Sequence, residues 1–408
     1  VILKYEIKKI LSKKGTLIAL LVLLIITVCS ILYTIHYPSW DIDDNTTIHG
    51  IKAIKMAKQE KSKNNAIITE DVVSSIINEY KVISNNSIDG TLSAEGWLKI
   101  QYIDDLVVLV DNSYGSFHDF NYYLCGQLST SQSNQFYQNR IKQIKEWANS
   151  DENDALRYTE KEREYFIHSA ETLETPFAYS YMDGWKEIFN GGALVLFCVM
   201  LVLCIIIAPV FCNEYQSGMD NILMSSQYGR SKVAYAKVFS SYIITTVVYW
   251  SSVLLYNLSV LLVYGTDGAN CIIQTNRGFW KSFYHLTNIQ ALGVSLGLAY
   301  LGSLLMVSLT MFISSKAKTT FEAIIIPFVV LLIPPMINTR YMPKIVIDIL
   351  NLLPNNTADS TSIFQEYNVY QIGEKVFSQC QMILIVYLIC IIILLPIMLH
   401  SYRKHKIN

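Results

Sequence analysis

Apolar positions along this chain gather into six runs. One, Leu17–His36, stands near the start and is followed by a long, mostly polar stretch. Five more crowd into the remainder, at 191–212, 237–264, 288–313, 321–337 and 380–399. A hydrocarbon core about 30 Å thick takes about 20 apolar residues at a rise of about 1.5 Å each. Four runs reach that length outright, 380–399 just reaches it, and 321–337 is marginal. The backbone of a spanning segment must satisfy its own hydrogen bonds, and a continuous apolar run does so as a helix. The pattern therefore predicts an all-α polytopic membrane protein of six transmembrane helices. A mainly helical polar domain, 37–190, hangs between the first and second.

Within 37–190 the period changes. Residues 51–63 are rich in helix formers. The stretch 70–83 carries apolar side chains at 72, 73, 76, 77 and 80, and 136–148 carries them at 137, 141, 144, 147 and 148, the spacing of helix faces. Residues 154–173 repeat it less cleanly. NNSIDG at 85–90 reads as a turn, and 101–124, with YIDDLVVLV, reads as either strand or helix. The segment is long enough to bury a core of its own. Tyr179, Tyr181 and Trp185, just before the second run, suit packing or an interfacial aromatic belt.

Charge orients the spans. Lys4, Lys8, Lys9, Lys13 and Lys14 precede the first run. Arg230, Lys232 and Lys237 lie between the second and third, Lys316 and Lys318 between the fourth and fifth, and Arg403, Lys404 and Lys406 follow the sixth. Short basic loops stay in the cytoplasm, so the pattern predicts both termini inside and 37–190 outside. That outer segment holds 24 acidic against 14 basic side chains, and the near-neutral total of −1 is a cancellation between the two sides. The first run is too long for a signal peptide and lacks an Ala-x-Ala site, which predicts an uncleaved span. Apolar Leu3, Ile7, Ile10 and Leu11 ahead of it predict an amphipathic helix on the cytoplasmic membrane surface, so 1–36 forms one unit.

The chemistry is sparse. No G-x-x-x-x-G-K-[ST], H-E-x-x-H or G-x-S-x-G occurs, and the eight cysteines have no metal spacing. Glu164 and His168 share a helix face that reads as solvated. Neither a catalytic residue, a cofactor site nor a metal site is predicted, and nothing points to nucleic acid. Cys125, Cys271 and Cys380 face outward, and a Cys125–Cys271 disulfide is open on the sequence alone. No ionisable residue falls near a span's midplane, which argues against ion coupling. Gly293 and Gly297, four apart in the fourth run, form a helix-packing pattern.

The segment Cys212–Lys237, CNEYQSGMDNILMSSQYGRSKVAYAK, follows the second run. Its Glu214, Gly218, apolar Met219, Ile222 and Leu223, small Ser225–Ser226, Arg230 and Lys237 resemble the coupling loop of ABC-2 exporter permeases. The resemblance extends over roughly 1–36 and 191–408, with room for short outer helices at 338–379 around Pro343 and LLPNNT. It implies a five-span membrane domain, 191–408, whose cytoplasmic loop 213–237 docks separate ABC ATPase subunits that carry the ATP and Mg. It also implies a second permease, identical or related, in the bilayer. The substrates it implies are peptides, lipids or drugs, and the acidic outer domain favours a cationic antimicrobial or bacteriocin-like peptide. The family usually has a short first outer loop, so 37–190 is a departure. Abundant Ile, Lys, Asn and Tyr suggest the plasma membrane of a low-GC Gram-positive bacterium. The alternative reading is an extracellular ligand sensor or scaffold that signals without transport. A neighbouring ATPase gene separates the two.

Overall fold

The computed structural model describes residues 2–404 apart from 86, 153, 154, 227, 340 and 341. Asn86 of the expected turn, Asp154 at the start of an expected helix, and Lys406 of the C-terminal basic cluster thus lie outside the described residues. Among the described residues, five helices are long and apolar enough to cross a membrane: Lys14–His36, Asp183–Gln216, Lys232–Tyr264, Asn288–Ser314 and Gln379–Arg403. They correspond to the first, second, third, fourth and sixth expected spans. The marginal fifth is the short one. Its helix, Thr320–Leu332, gives way at Pro334–Pro335 to a single 3₁₀ turn, because consecutive prolines lack the N–H groups that would continue the ladder.

The second span is the spine of the bundle. Val195, Val199, Met200, Leu203 and Ile207 are all buried along it, in one core with residues of the first, third and fourth spans. Tyrosines of the third span tie the others together. Tyr256 Oη lies 3.2 Å from Thr34 Oγ1 of the first, while Tyr264 Oη donates to the Thr34 carbonyl at 2.8 Å. Toward the fourth span, Tyr249 Oη donates to the Leu296 carbonyl at 2.7 Å and Tyr242 Oη lies 2.6 Å from Ser308 Oγ. Such bonds hold helices where lipid offers no hydrophobic drive for them to associate.

Gly293 and Gly297 do not do this within the chain. A Cβ at either would meet nothing within 4 Å. The close approach is instead at Gly302, where a Cβ would come 2.5 Å from Thr357 Oγ1 and 3.3 Å from Met200 Cε.

Above the bundle sits a large polar head. The helices Ile51–Lys61, Glu70–Ile83 and Phe136–Ala148 occupy the periodic stretches, and Glu160–Glu171 lies inside 154–173. The ambiguous stretch is a helix, Asp104–Tyr114, with two acids in its first turn. Residues 105–111 are buried without a break, so no polar face marks the helical period. Two antiparallel hairpins, Ser39–Asp43 with Thr46–His49 and Val369–Ile372 with Lys375–Ser378, were not evident from the pattern.

Residues 37–190 do not close their own core, contrary to the expectation of a self-contained domain. The loop 265–287 and the segment after the fifth span complete it. Trp280 packs beside Phe136, with ring centres 5.1 Å apart, and Tyr367 packs on Phe166 at 4.6 Å and Trp147 at 4.9 Å. Buried Arg140 donates from Nε to the Trp280 carbonyl and from Nη2 to that of Ser282, both at 2.9 Å. Helix periodicity shows which face is apolar but not what covers it. Cys125 and Cys271 are separate buried thiols in this core, and no disulfide joins them.

Candidate coupling site at the basic end of the bundle

The second span breaks near its end. Helix Asp183–Ile207 runs into Ala208 and resumes as Pro209–Gln216. Pro209 has no N–H to offer. Ser314, at the end of the fourth span, braces the break: its Oγ donates to the Ala208 carbonyl at 2.5 Å and accepts from the N–H groups of Phe211 at 3.1 Å and Cys212 at 3.2 Å. The short helix beyond the break is thereby pinned to a neighbouring span.

Glu214 stands on that helix, and the structure moves it from an expected surface position into the interior. It is 1% exposed. Its Oε1 accepts from Lys237 Nζ of the third span at 2.6 Å and from Lys9 Nζ of the N-terminal helix Ile2–Leu11 at 2.5 Å. Lys237 is fully buried. It also donates to the Val210 carbonyl at 2.7 Å and lies 3.5 Å from Glu6 Oε2. Burial opposes the Lys9 ammonium, but its bond to Glu214 and the charges of Glu214 and Glu6 outweigh this and raise its pKa. Lys13 moves the other way, pushed down by burial and by Lys9 and Lys237. Glu214 and Lys237 are therefore the buried joint between three helices.

The remaining expected site residues lie on the loop that leaves this joint. Gly218, with φ +69°, ends the short helix. Met219 N–H reaches the Glu214 carbonyl at 3.0 Å and Gly218 N–H that of Tyr215 at 3.3 Å, the double bond pattern of a Schellman cap. A short helix, Asp220–Ser225, follows. Met219 is 50% and Ile222 72% exposed, while Leu223 is half-buried. A Cβ at Gly229 would fall 1.6 Å from the Leu223 carbonyl oxygen, so only glycine lets the chain turn back here. Arg230 Nη1 donates to the Arg403 carbonyl at 2.7 Å, tying the loop to the end of the sixth span.

All the basic segments thus meet at one end of the bundle. The residues of the joint to which the sequence assigned no site role are Glu6, Ser314 and Lys9, the last read only as a flanking charge. Glu6 carried a signal, being the one acid in a helix otherwise charged by lysines. Ser314 carried none.

At the opposite end of the second span a second ion cluster joins it to the head. Lys61 binds Asp105 at 3.2 Å and Asp183 at 2.9 Å, and Lys186 binds Asp105 at 2.5 Å and Asp183 at 3.0 Å. Burial works against the Asp105 carboxylate, but the Lys186 and Lys61 ammoniums override it and hold its pKa far below the usual range. The second span, with its break at Ala208, therefore links the head to the loop.

No curated protein and no solved structure matches the chain. A family model described as ABC-2 family transporter protein matches residues 14–399, which takes in the kinked second span, the loop and every other span. The chain belongs to the ABC-2 family of transporter proteins and is a multi-pass membrane protein of the permease type.

Proposed function

We propose that this chain is the membrane subunit of an ATP-driven exporter. Its helix Asp220–Ser225 docks a separate ATPase subunit, and a second permease completes the path. The observation that carries this reading is an apolar surface with no cover of its own, Met219 and Ile222, on a short helix clamped to the kinked second span. The basic segments around it support a cytoplasmic position for that end. Burying the Ile222 side chain in a partner groove is worth about 1.5–3 kcal/mol. ATP and Mg belong to the partner. Closure of the ATPase pair moves the loop, and the second span carries the movement to the head through the Lys61–Asp105–Asp183–Lys186 cluster. The acidic excess of 37–190 favours a cationic membrane-active peptide over a lipid or drug as substrate.

The test is co-purification of the detergent-solubilised chain with its ATPase. M219D/I222D alters only exposed side chains. It should melt like the wild type yet lose the ATPase and transport. Retention of both would remove the loop from coupling.

A further inference from the structure

Two loops of the head meet over buried Tyr80. Its Oη donates to the Gly90 carbonyl at 2.8 Å and lies 3.4 Å from that of Tyr122. Gly90, with φ +74°, comes so near the second loop that a Cβ there would fall 2.2 Å from the Tyr123 carbonyl oxygen. Gln127 Nε2 adds a bond to the Asp89 carbonyl at 3.0 Å. Residues 87–91 and 119–123 thus form one crest. The helix Glu70–Ile83, about 21 Å long at a rise of about 1.5 Å per residue, separates it from the strand pair Ala66–Ile67 with Ala178–Tyr179 just before the second span.

The crest carries bare apolar side chains. Ile88 is 97% exposed, and no large apolar side chain among the described residues is more so. On the adjoining loop Tyr122 is 54% exposed and Phe120 is exposed too, their ring centres 4.5 Å apart. Bare side chains on the spans have lipid to cover them, whereas these stand on the polar head. Exposed apolar residues gathered on such a surface mark an interaction site.

Charge selects the partner. Between Lys81 and Arg140 the chain carries six acids, Asp89, Glu95, Asp104, Asp105, Asp111 and Asp119, against a single lysine, Lys99, and no arginine. Lys99 pairs with Glu95 at 2.6 Å, Arg277 takes Asp104 at 3.1 Å, Lys61 and Lys186 take Asp105, and Asp111 is buried. The two acids left over, Asp89 and Asp119, stand on the crest. Asp89 Oδ1 accepts from Ser87 Oγ and from Thr91 Oγ1 at 2.9 Å, and these bonds hold its carboxyl below the usual range and keep it charged. Asp119 attracts Lys281 without reaching ion-pair distance. Both acids repel the phosphates of a bilayer, and a two-fold contact centred here would set them against themselves. Apolar side chains flanked by such carboxylates fit a cationic amphipathic partner.

We propose that this crest is the first contact for the exported peptide, a cationic amphipathic chain that lays apolar side chains on Ile88, Phe120 and Tyr122 and sets lysines or arginines beside Asp89 and Asp119. The choice of a cationic peptide rests on the export reading. Binding at the crest needs no ATPase, so its failure is distinguishable from a failure of the coupling loop, which ATPase co-purification reads.

The test is peptide binding to the full chain in phosphatidylcholine nanodiscs, with empty nanodiscs as the reference. The probe is a fluorescein-labelled amphipathic peptide of lysine, leucine and photo-leucine, set against its counterpart with glutamate for lysine. The lysine peptide should bind the chain more tightly than it binds empty discs, and the glutamate peptide should not. Irradiation should cross-link the lysine peptide to 87–91 and 119–123. I88S/Y122S alters only exposed side chains, so it should melt like the wild type yet weaken binding by about tenfold or more, the worth of one aliphatic side chain's burial. I88K, which sets a like charge on the crest, should weaken it as well. Equal binding of the two peptides, no excess over empty discs, cross-links confined to other segments, or unchanged affinity in I88S/Y122S or I88K overturns the proposal.

Discussion

Removing the charge of Glu214 tests whether the coupling motif is a surface or a joint. Glu214→Gln preserves shape and leaves Lys237, fully buried, with the Val210 carbonyl at 2.7 Å and Glu6 at 3.5 Å as its remaining partners. Stripping one partner from a buried pair costs about 3–5 kcal/mol, because the other charge stays desolvated. The Lys9 arm adds little, since that side chain is 27% exposed and water screens it. At about 1.4 kcal/mol per tenfold, the ratio of folded to unfolded chain falls by about two to three and a half orders of magnitude. Thermal unfolding of the detergent-purified chain, followed by tryptophan fluorescence, should show a clear drop. Trypsin should also cut sooner at Lys4 and Lys8, because the N-terminal helix loses its anchor. E214Q/K237M removes both charges and should recover much of the loss, a coupling of about 2 kcal/mol or more between neighbours. A rim contact for an ATPase would behave differently: E214Q would melt like the wild type and lower only the amount of ATPase recovered. Unchanged melting with unchanged protection of the N-terminal helix would refute the joint.

Three further outcomes follow from the packing. Asp111 is buried, and burial lifts its carboxyl to about 7 from the usual 3.8; its folded pKa being raised, the stability it contributes is full below about pH 4 and lost as pH rises to about 7. At about 1.4 kcal/mol per pKa unit, the wild type should melt lower at pH 8 than at pH 5, and D111N should flatten that difference. A secreted 37–190 fragment should aggregate or lack near-ultraviolet circular dichroism, because Trp280 and Tyr367 are missing from its core; a cooperative, monomeric fragment would contradict this. Gly302→Val should cost about 1–3 kcal/mol by overpacking against Thr357 and Met200, whereas Gly293→Val or Gly297→Val should leave the melting of the single chain unchanged.

The elements that the sequence determined by itself are those set by local rules. A bilayer demands a minimum apolar length, so the long spans and the shortness of the fifth could be read directly. The helices Glu70–Ile83 and Phe136–Ala148 have the bounds that their periodicity predicts, because one face is buried and the other wet. The helix Asp104–Tyr114 gave no such sign, being buried almost throughout. Gly218 with its positive φ follows the general preference for glycine at a helix end. Tertiary structure alone decided what meets across the chain. Lys9, Glu214 and Lys237 converge from three helices, turning two residues of a surface motif into a buried joint. Arg140 reaches Trp280 and Ser282, and Tyr367 reaches Trp147, giving the head a core drawn from three segments. Gly302, not Gly293 or Gly297, takes the close approach. Local periodicity shows that a face or a charge needs a partner, but several distant segments can answer that need. Only the way the helices pack selects among them.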